Sequence, residues 1–390
     1  MTQLQYRSLR SFYFFYFSLV GILIPYFPLY LQSLGFKPFD IGLVMAAWPL
    51  AKLITPVFWS QWADHLGKRL TFIQVGGVLC LFSFLPFFKI WGVWGFFTVM
   101  FLFSFFRMGV IPMVEAIAME CCETHKKEYG KIRYWGSIGF IVPAFLFGWL
   151  IDRFSVRVIL TGMLVILVFQ TITAFYFPRG SAHLTKEKRT LKIFVNKAVL
   201  SFLMICFLRT VSFGAYYGFF TIWMKSHGYS STTVGFSWAL AVVCEVFVMA
   251  HFSRLHRLFS LKKIIGFGDV LTVVRWLILA VTAWFPAILF AQTLHALTFA
   301  AFHVASVAYM YQHTPPHMRA TGQAVYTSVS YGLGSFVGFC LFGYLKDIVS
   351  FDMLFLISAG IAALGIPFVR WFQEKPGAKV PIIGVMPDRP

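Results

Sequence analysis

Charge is scarce in this chain, and acidic charge scarcest: Asp and Glu number 14, and charged residues of both signs make up 12% of 390 residues. With hydrophobic residues at 59%, there is too little polar surface to clothe a water-soluble body of this length. Cysteine is sparse as well. The six cysteines (Cys80, Cys121, Cys122, Cys206, Cys244, Cys340) form no CxxC pair and no spacing suited to zinc or to a disulfide framework, so they read as small apolar fillers. HExxH, GxSxG and a phosphate-binding glycine loop are all missing, which leaves nothing to support a multi-span membrane enzyme. A membrane sensor would carry a soluble signalling domain, and only short loops are present here. No metal and no cofactor are expected.

What the chain has is apolar length. Mean hydropathy is +0.76. Twelve stretches come near the ~20 residues that a bilayer-crossing helix needs: 12–31, 41–62, 70–89, 92–118, 134–151, 158–177, 198–224, 234–253, 264–283, 286–312, 321–344 and 353–373. The fold class expected is an all-α membrane protein with twelve transmembrane helices. The first span follows Arg7 and Arg10, but its apolar part is too long for a signal-peptide core and no small-residue cleavage site follows, so it should remain in the mature protein.

Lys and Arg set the orientation. With both termini cytoplasmic, 23 basic residues fall on the inside against 6 outside, which satisfies the positive-inside rule. The net charge of +19 then reflects topology and contact with anionic membrane lipids, and no basic, aromatic-rich surface argues for nucleic acid.

The chain repeats itself. Leu31-Gln32-Ser33-Leu34-Gly35-Phe36 matches Met224-Lys225-Ser226-His227-Gly228-Tyr229 at an offset of 193 residues, and Gly148-Trp149-Leu150-Ile151-Asp152 matches Gly343-Tyr344-Leu345-Lys346-Asp347 at 195. Pro178, Gly180, Ser181 and a charged run interrupt the apolar pattern between the copies. The expected division is a six-helix bundle over 1–177, a cytoplasmic central loop at 178–196, a second six-helix bundle over 197–373 and a disordered tail at 374–390. Repeated bundles of this kind suit a transporter that moves one half against the other around a site at mid-membrane.

Ionisable groups inside spans are costly and normally mark function. They are Lys52, Arg107, Glu115, Arg209, Glu245, Asp269, Arg275, His295 and His303, with Arg133 at the start of the fifth span. Glu115 and Arg133 lie on neighbouring spans joined by a short loop, so they can share a bidentate contact that serves either the substrate or only the tie between the helices. Arg107 can serve function or snorkel outward as an anchor. Lys52 aligns with Glu245 across the repeat, which suggests that the two share a cavity. Glu245 is the first candidate to carry a proton, or else a permanent partner of Arg275. His295 and His303, eight residues apart, should sit about 80° apart on adjacent helix faces, either titrating or as neutral hydrogen-bonding groups. Asp269 can pair with a loop lysine. Tyr134, Trp135, Phe140, Tyr216 and Tyr217 adjoin these positions and can stack on a flat ring. Pro25 and Pro28 suit a first helix that is kinked or bends. The cations exceed the acids, five (Lys52, Arg107, Arg133, Arg209, Arg275) to three (Glu115, Glu245, Asp269), which favours an anionic solute.

These features carry a family resemblance. Trp62-Ala63-Asp64-His65-Leu66-Gly67-Lys68-Arg69 resembles the loop motif of the major facilitator superfamily, and assigns gating to Asp64, Gly67, Lys68 and Arg69. Val114-Glu115-Ala116 through Tyr129-Gly130-Lys131-Ile132-Arg133-Tyr134-Trp135-Gly136-Ser137-Ile138-Gly139-Phe140 is similar to the lactose-permease branch, where a Glu and an Arg 18 residues apart engage substrate. Ala215-Tyr216-Tyr217-Gly218-Phe219, Val243-Cys244-Glu245-Val246, Val274-Arg275-Trp276, Gln292-Thr293-Leu294-His295-Ala296-Leu297-Thr298-Phe299 and His303 resemble the phenylpropionate permeases. Phe140 stands where the lactose permease stacks sugar on Trp, Thr298 where it has a carboxylate, and its helix-7 acids have no counterpart here, which argues against sugar.

The resemblance implies a monomeric secondary transporter, not an enzyme, in a bacterial inner membrane, coupling protons to a small organic, aromatic carboxylate. Substrate contacts are expected from Glu115, Arg133, Phe140, Tyr217, Arg275, His295 and His303, and proton coupling from Glu245, Glu115 or His295. The alternatives are a proton-coupled sugar or nucleoside transporter, or an exporter of the same fold.

Overall fold

A computed structural model describes residues 2–125, 129–178, 194–315 and 318–372. The expected central loop and tail lie almost wholly outside the described residues. Within a bilayer the backbone must satisfy its own hydrogen bonds, which leaves an apolar chain of this kind the helix as its solution. Among the described residues eleven helices are long and apolar enough to cross a membrane, and a twelfth apolar helix, Val158–Ala174, is shorter.

The first half of the chain forms α1 (Gln3–Ser33), α2 (Pro38–His65), α3 (Arg69–Phe84), α4 (Val93–Thr124), α5 (Tyr129–Arg153) and α6 (Val158–Ala174). Helix α1 starts on a capping box at Thr2 and runs through Pro25 and Pro28 without a break. The second half is more interrupted. It comprises α7 (Lys197–Ser212), α8 (Gly214–Ser226), α9 (Ser231–Ala250), α10 (Phe252–Leu258), α11 (Leu261–Val281), α12 (Phe285–His295), α13 (Phe302–His313), α14 (Arg319–Thr327), α15 (Ser335–Lys346) and α16 (Phe351–Ala363). Wide π turns at Ala296–Ala301 and Ser328–Gly334 join α12 to α13 and α14 to α15.

The sequence repeat has a structural reason. Gly35 and Gly228 both adopt positive φ (85° and 81°), a conformation that glycine reaches without strain. The residue after each closes back on the helix in the same way: Phe36 N–H donates to Leu31 O, and Tyr229 N–H to Met224 O. The two copies therefore mark one helix-ending device used twice.

Two compact units result. One gathers α1–α6 with Thr221–Ala239; the other gathers α7, α8 as far as Phe220, and the chain from Leu240 onward. In the first unit, glycines let helices touch through their backbones. A Cβ at Gly139 would stand 2.2 Å from Phe14 O, and one at Gly21 2.5 Å from Phe140 O, so α1 and α5 meet too closely for any side chain there.

Asp152, at the end of α5, joins Thr221–Ala239 to this unit. Its carboxylate accepts from the N–H groups of Ser231 (2.8 Å) and Thr232 (2.7 Å) and from the Thr232 hydroxyl (2.7 Å), with Lys225 Nζ 3.8 Å away. It thus completes the first turn of α9, whose Thr233 N–H is held by Ser230. One turn back, Gly148 packs on Ser231 O, and Gly235 on Ala144 O, which also receives the Tyr26 hydroxyl at 2.5 Å. An Asp152→Ala chain loses all three acceptor bonds, and Asp152→Asn can answer only one of the two N–H groups. Both variants are expected to unfold at lower temperature in detergent, with about 1 kcal/mol lost for a missing cap. Unchanged melting of both would show that the contact is not stabilising.

Candidate functional site

The second unit holds a chain of polar side chains in an apolar interior. Glu245 on α9 and His295 at the end of α12 are joined at 2.8 Å, carboxylate Oε1 to imidazole Nε2. The other ring nitrogen, Nδ1, lies 2.6 Å from Nη1 of Arg275 on α11. A guanidinium only donates. Nδ1 therefore carries the lone pair, and in a neutral ring the proton sits on Nε2 and points at Glu245. The sequence leaves Glu245 open as a direct partner of Arg275; the structure places His295 between them.

Arg275 is fully buried, with Nη2 donating to Gln292 Oε1 at 2.8 Å and Nε without a partner. Gln292 Oε1 also accepts from the Tyr216 hydroxyl at 2.9 Å. Aromatic rings wall the guanidinium, its carbon lying 4.3 Å from the Tyr216 ring centroid and 4.8 Å from that of Trp276. Tyr217 is half-buried beside Tyr216 and within electrostatic reach of Glu245. Gln292 holds Arg275 yet was not among the residues expected to bind, while Tyr216, expected to stack on a flat ring, lies against the guanidinium and donates to Gln292. Gln292 was findable, since it precedes His295 by one helical turn and so shares its face.

A π turn lies between His295 and His303, and it holds more residues per turn than a regular α-helix. Phe299 stacks on both imidazoles, at 5.1 Å from His295 and 6.2 Å from His303, each at 13°. His303 Nδ1 meets the hydroxyls of Tyr326 (3.1 Å) and Tyr331 (3.0 Å).

The first unit has its own cluster. Glu115 on α4 is half-buried and feels Arg133 of α5 and Lys52 of α2 electrostatically. A bidentate Glu115–Arg133 contact is not formed: among the described residues the ion pairs within 4 Å do not include it, and the Arg133 guanidinium instead lies 4.2 Å from the Phe17 ring centroid and 5.8 Å from that of Tyr13. Arg107 does not snorkel. It is buried, donating to Gln170 Oε1 at 3.0 Å and to Tyr16 O, and so ties α1, α4 and α6 together. Phe140 is 9% exposed, with its backbone against Gly21.

Of the loop motif, Gly67 has φ 64° and lets Lys68 N–H reach back to Ala63 O, closing α2 before Arg69 opens α3. The side chain of Asp64 lies outside the described residues.

The helices and their order are those of the facilitator class of membrane transporters. The crystal structure of nucleoside transporter NupG superposes with a TM-score of 0.83 over 96% of this chain and 100% of that one, at 16% identity. The chain belongs to the MFS_1 like family, whose model matches residues 6–357. Among curated relatives it is 28% identical over 370 residues to the probable 3-phenylpropionic acid transporter of Escherichia coli (strain K12), covering 93% of this chain and 97% of that protein. It is 24% identical over 351 residues to the putative nucleoside transporter YegT of the same organism, covering 82% and 79%. The protein is thus an integral membrane transporter and not an enzyme.

Proposed function

We propose that this transporter couples protons to the movement of a small organic, aromatic carboxylate by alternating access. The observation that carries the reading is Arg275: a buried guanidinium held by two neutral acceptors, with a free Nε and walls of Tyr216 and Trp276. A buried cation so placed is costly until an anion completes it, and an aromatic body packs well on those rings. Glu245 acts on Arg275 electrostatically and shares His295 with it, so a proton on Glu245 removes the competing negative charge and favours the substrate carboxylate.

Glu115, Arg133, Phe140, Tyr217 and His303 are read as further contributors to binding, with Glu115 or His295 as alternative proton sites. Residues 1–177 and 197–373 are read as the two repeat-related bundles, joined by 178–196 and followed by the tail at 374–390. Asp64, Gly67, Lys68 and Arg69 are read as the gating loop. The surplus of inside lysine and arginine supports cytoplasmic termini in a bacterial inner membrane, with anionic lipid at the basic loops. We read the protein as a monomer. The similarity to a phenylpropionic acid transporter supports the solute class; the nucleoside relatives favour a neutral, ring-bearing solute as the second reading.

The test is competition on the purified transporter. A phenylpropionate-like acid is expected to displace bound ligand at least about tenfold better than its neutral amide, the advantage of a charge-assisted over a neutral hydrogen bond. Equal potency, or preference for a nucleoside or sugar, would defeat the anion reading.

A further inference from the structure

Asp269 takes no part in the polar chain around Arg275. It sits on α11, about two turns from the helix start, and is 0% exposed, with no protein donor at either carboxylate oxygen. Thr272, the nearest hydroxyl along its helix, gives its proton to Gly268 O instead. On the other side the backbone after α16 closes in: a Cβ on Gly365 would stand 2.8 Å from Asp269 Oδ2.

Two groups act on Asp269 electrostatically, Arg209 and Cys206, both on α7. Arg209 is itself short of an anion. Its guanidinium donates to Thr298 O and lies 3.7 Å from the Phe302 ring centroid, its Nε is without a partner, and the ion pairs among the described residues do not include it. The remaining ionisable groups on elements packed against α11 are spent elsewhere or lie at the ends. His295 is engaged with Glu245 and Arg275, and His303 with Tyr326 and Tyr331; Tyr309 and His313 stack on each other, while Asp352 and Arg370 are exposed.

An ionised carboxylate with no donor in a water-poor interior is strongly disfavoured, and a neutral acid removes that cost. We infer that Asp269 is a proton-binding carboxyl of the second unit, which holds its proton in the conformation described and pairs with Arg209 when the proton leaves. On release the acid O–H bond breaks, the proton passes to water, and the new carboxylate accepts N–H bonds from a guanidinium whose charge balances it. The site is separate from Glu245, whose carboxylate already has the His295 donor. Any role in flux rests on the proton-coupled reading given above; the protonation itself does not.

Infrared spectroscopy of the reconstituted full chain, without any substrate, tests this directly. Wild-type protein labelled with carbon-13 at its aspartate carboxyls is expected to show, at neutral pH, an isotope-shifted C=O stretch of a protonated acid. That band should vanish in Asp269→Asn and persist in Glu245→Gln. In Arg209→Gln it should persist to higher pH than in wild type, because the ionised form has lost its partner. A wild-type spectrum at neutral pH with no protonated aspartate, which needs no variant to fold, would overturn the inference. So would a band that survives in Asp269→Asn. A titration unmoved by Arg209→Gln would overturn the pairing. Failure of the acid-against-amide competition would leave all these readouts as they are.

Discussion

A Glu245→Gln transporter is expected to exchange substrate across the membrane but to lose the ability to concentrate it against a gradient. The Gln side chain keeps a carbonyl oxygen that accepts the His295 Nε2–H at the 2.8 Å position, so the local geometry survives. What it cannot do is take up and release a proton. Exchange needs no net proton movement, whereas accumulation does. Substrate binding to the wild type should also strengthen with falling pH, by up to about tenfold per pH unit for one coupled proton, and binding to the Gln variant should be flat. Counterflow and gradient-driven uptake in proteoliposomes measure both. Accumulation by the Gln variant would reduce Glu245 to a structural partner of His295, and Glu115 or His295 would become the next residue to substitute.

Replacing Arg275 with Lys, which preserves the charge, should weaken binding of the carboxylate by about tenfold to a hundredfold, since an ammonium cannot reproduce the planar fork. Arg275 reaches His295 Nδ1 at 2.6 Å and Gln292 Oε1 at 2.8 Å at once. A lysine at this position is shorter and lacks the fork that meets both at once, and a buried acceptor left unanswered costs about 1–3 kcal/mol. His295 is also freed to put its proton on either nitrogen, which loosens its hold on Glu245. The dissociation constant of the acid, measured by calorimetry, checks this. A Lys variant that binds within about twofold of wild type would remove Arg275 from the substrate contacts, because a lost charge-assisted bond is worth more than that.

The membrane spans were readable because a bilayer imposes one length and one polarity on every helix, and the paired turns at Gly35 and Gly228 announced the repeat through their neighbours. The site was readable as an inventory: Glu245, Arg275 and His295 were all visible as charges or imidazoles in apolar surroundings. Their connection was not. Which face a helix turns to its neighbour depends on the rotation of the whole helix, and Glu115 and Arg133 show the consequence: they sit on helices adjacent in sequence, yet Arg133 is turned onto Phe17. The π turn at Ala296–Ala301 has no marker in sequence, because its alanines, leucine, threonine and phenylalanine would serve equally in a regular helix. The buried place of Arg107 was hidden for a related reason: its acceptors, Gln170 and the Tyr16 carbonyl, are 63 and 91 residues away.

The cap that Asp152 supplies has a consequence in time. Its acceptors are filled by Ser231 and Thr232, 79 and 80 residues further along the chain. At ordinary rates of protein synthesis those residues follow on the order of 4 to 16 seconds later. Through that interval α5 stands complete, with the close-packing surface at Gly148 and its terminal carboxylate unanswered. The first compact unit thus cannot finish its own assembly from the first half of the message. A gene cut within the central loop should give an N-terminal fragment that stays vulnerable to membrane proteases until the C-terminal fragment is made in the same membrane.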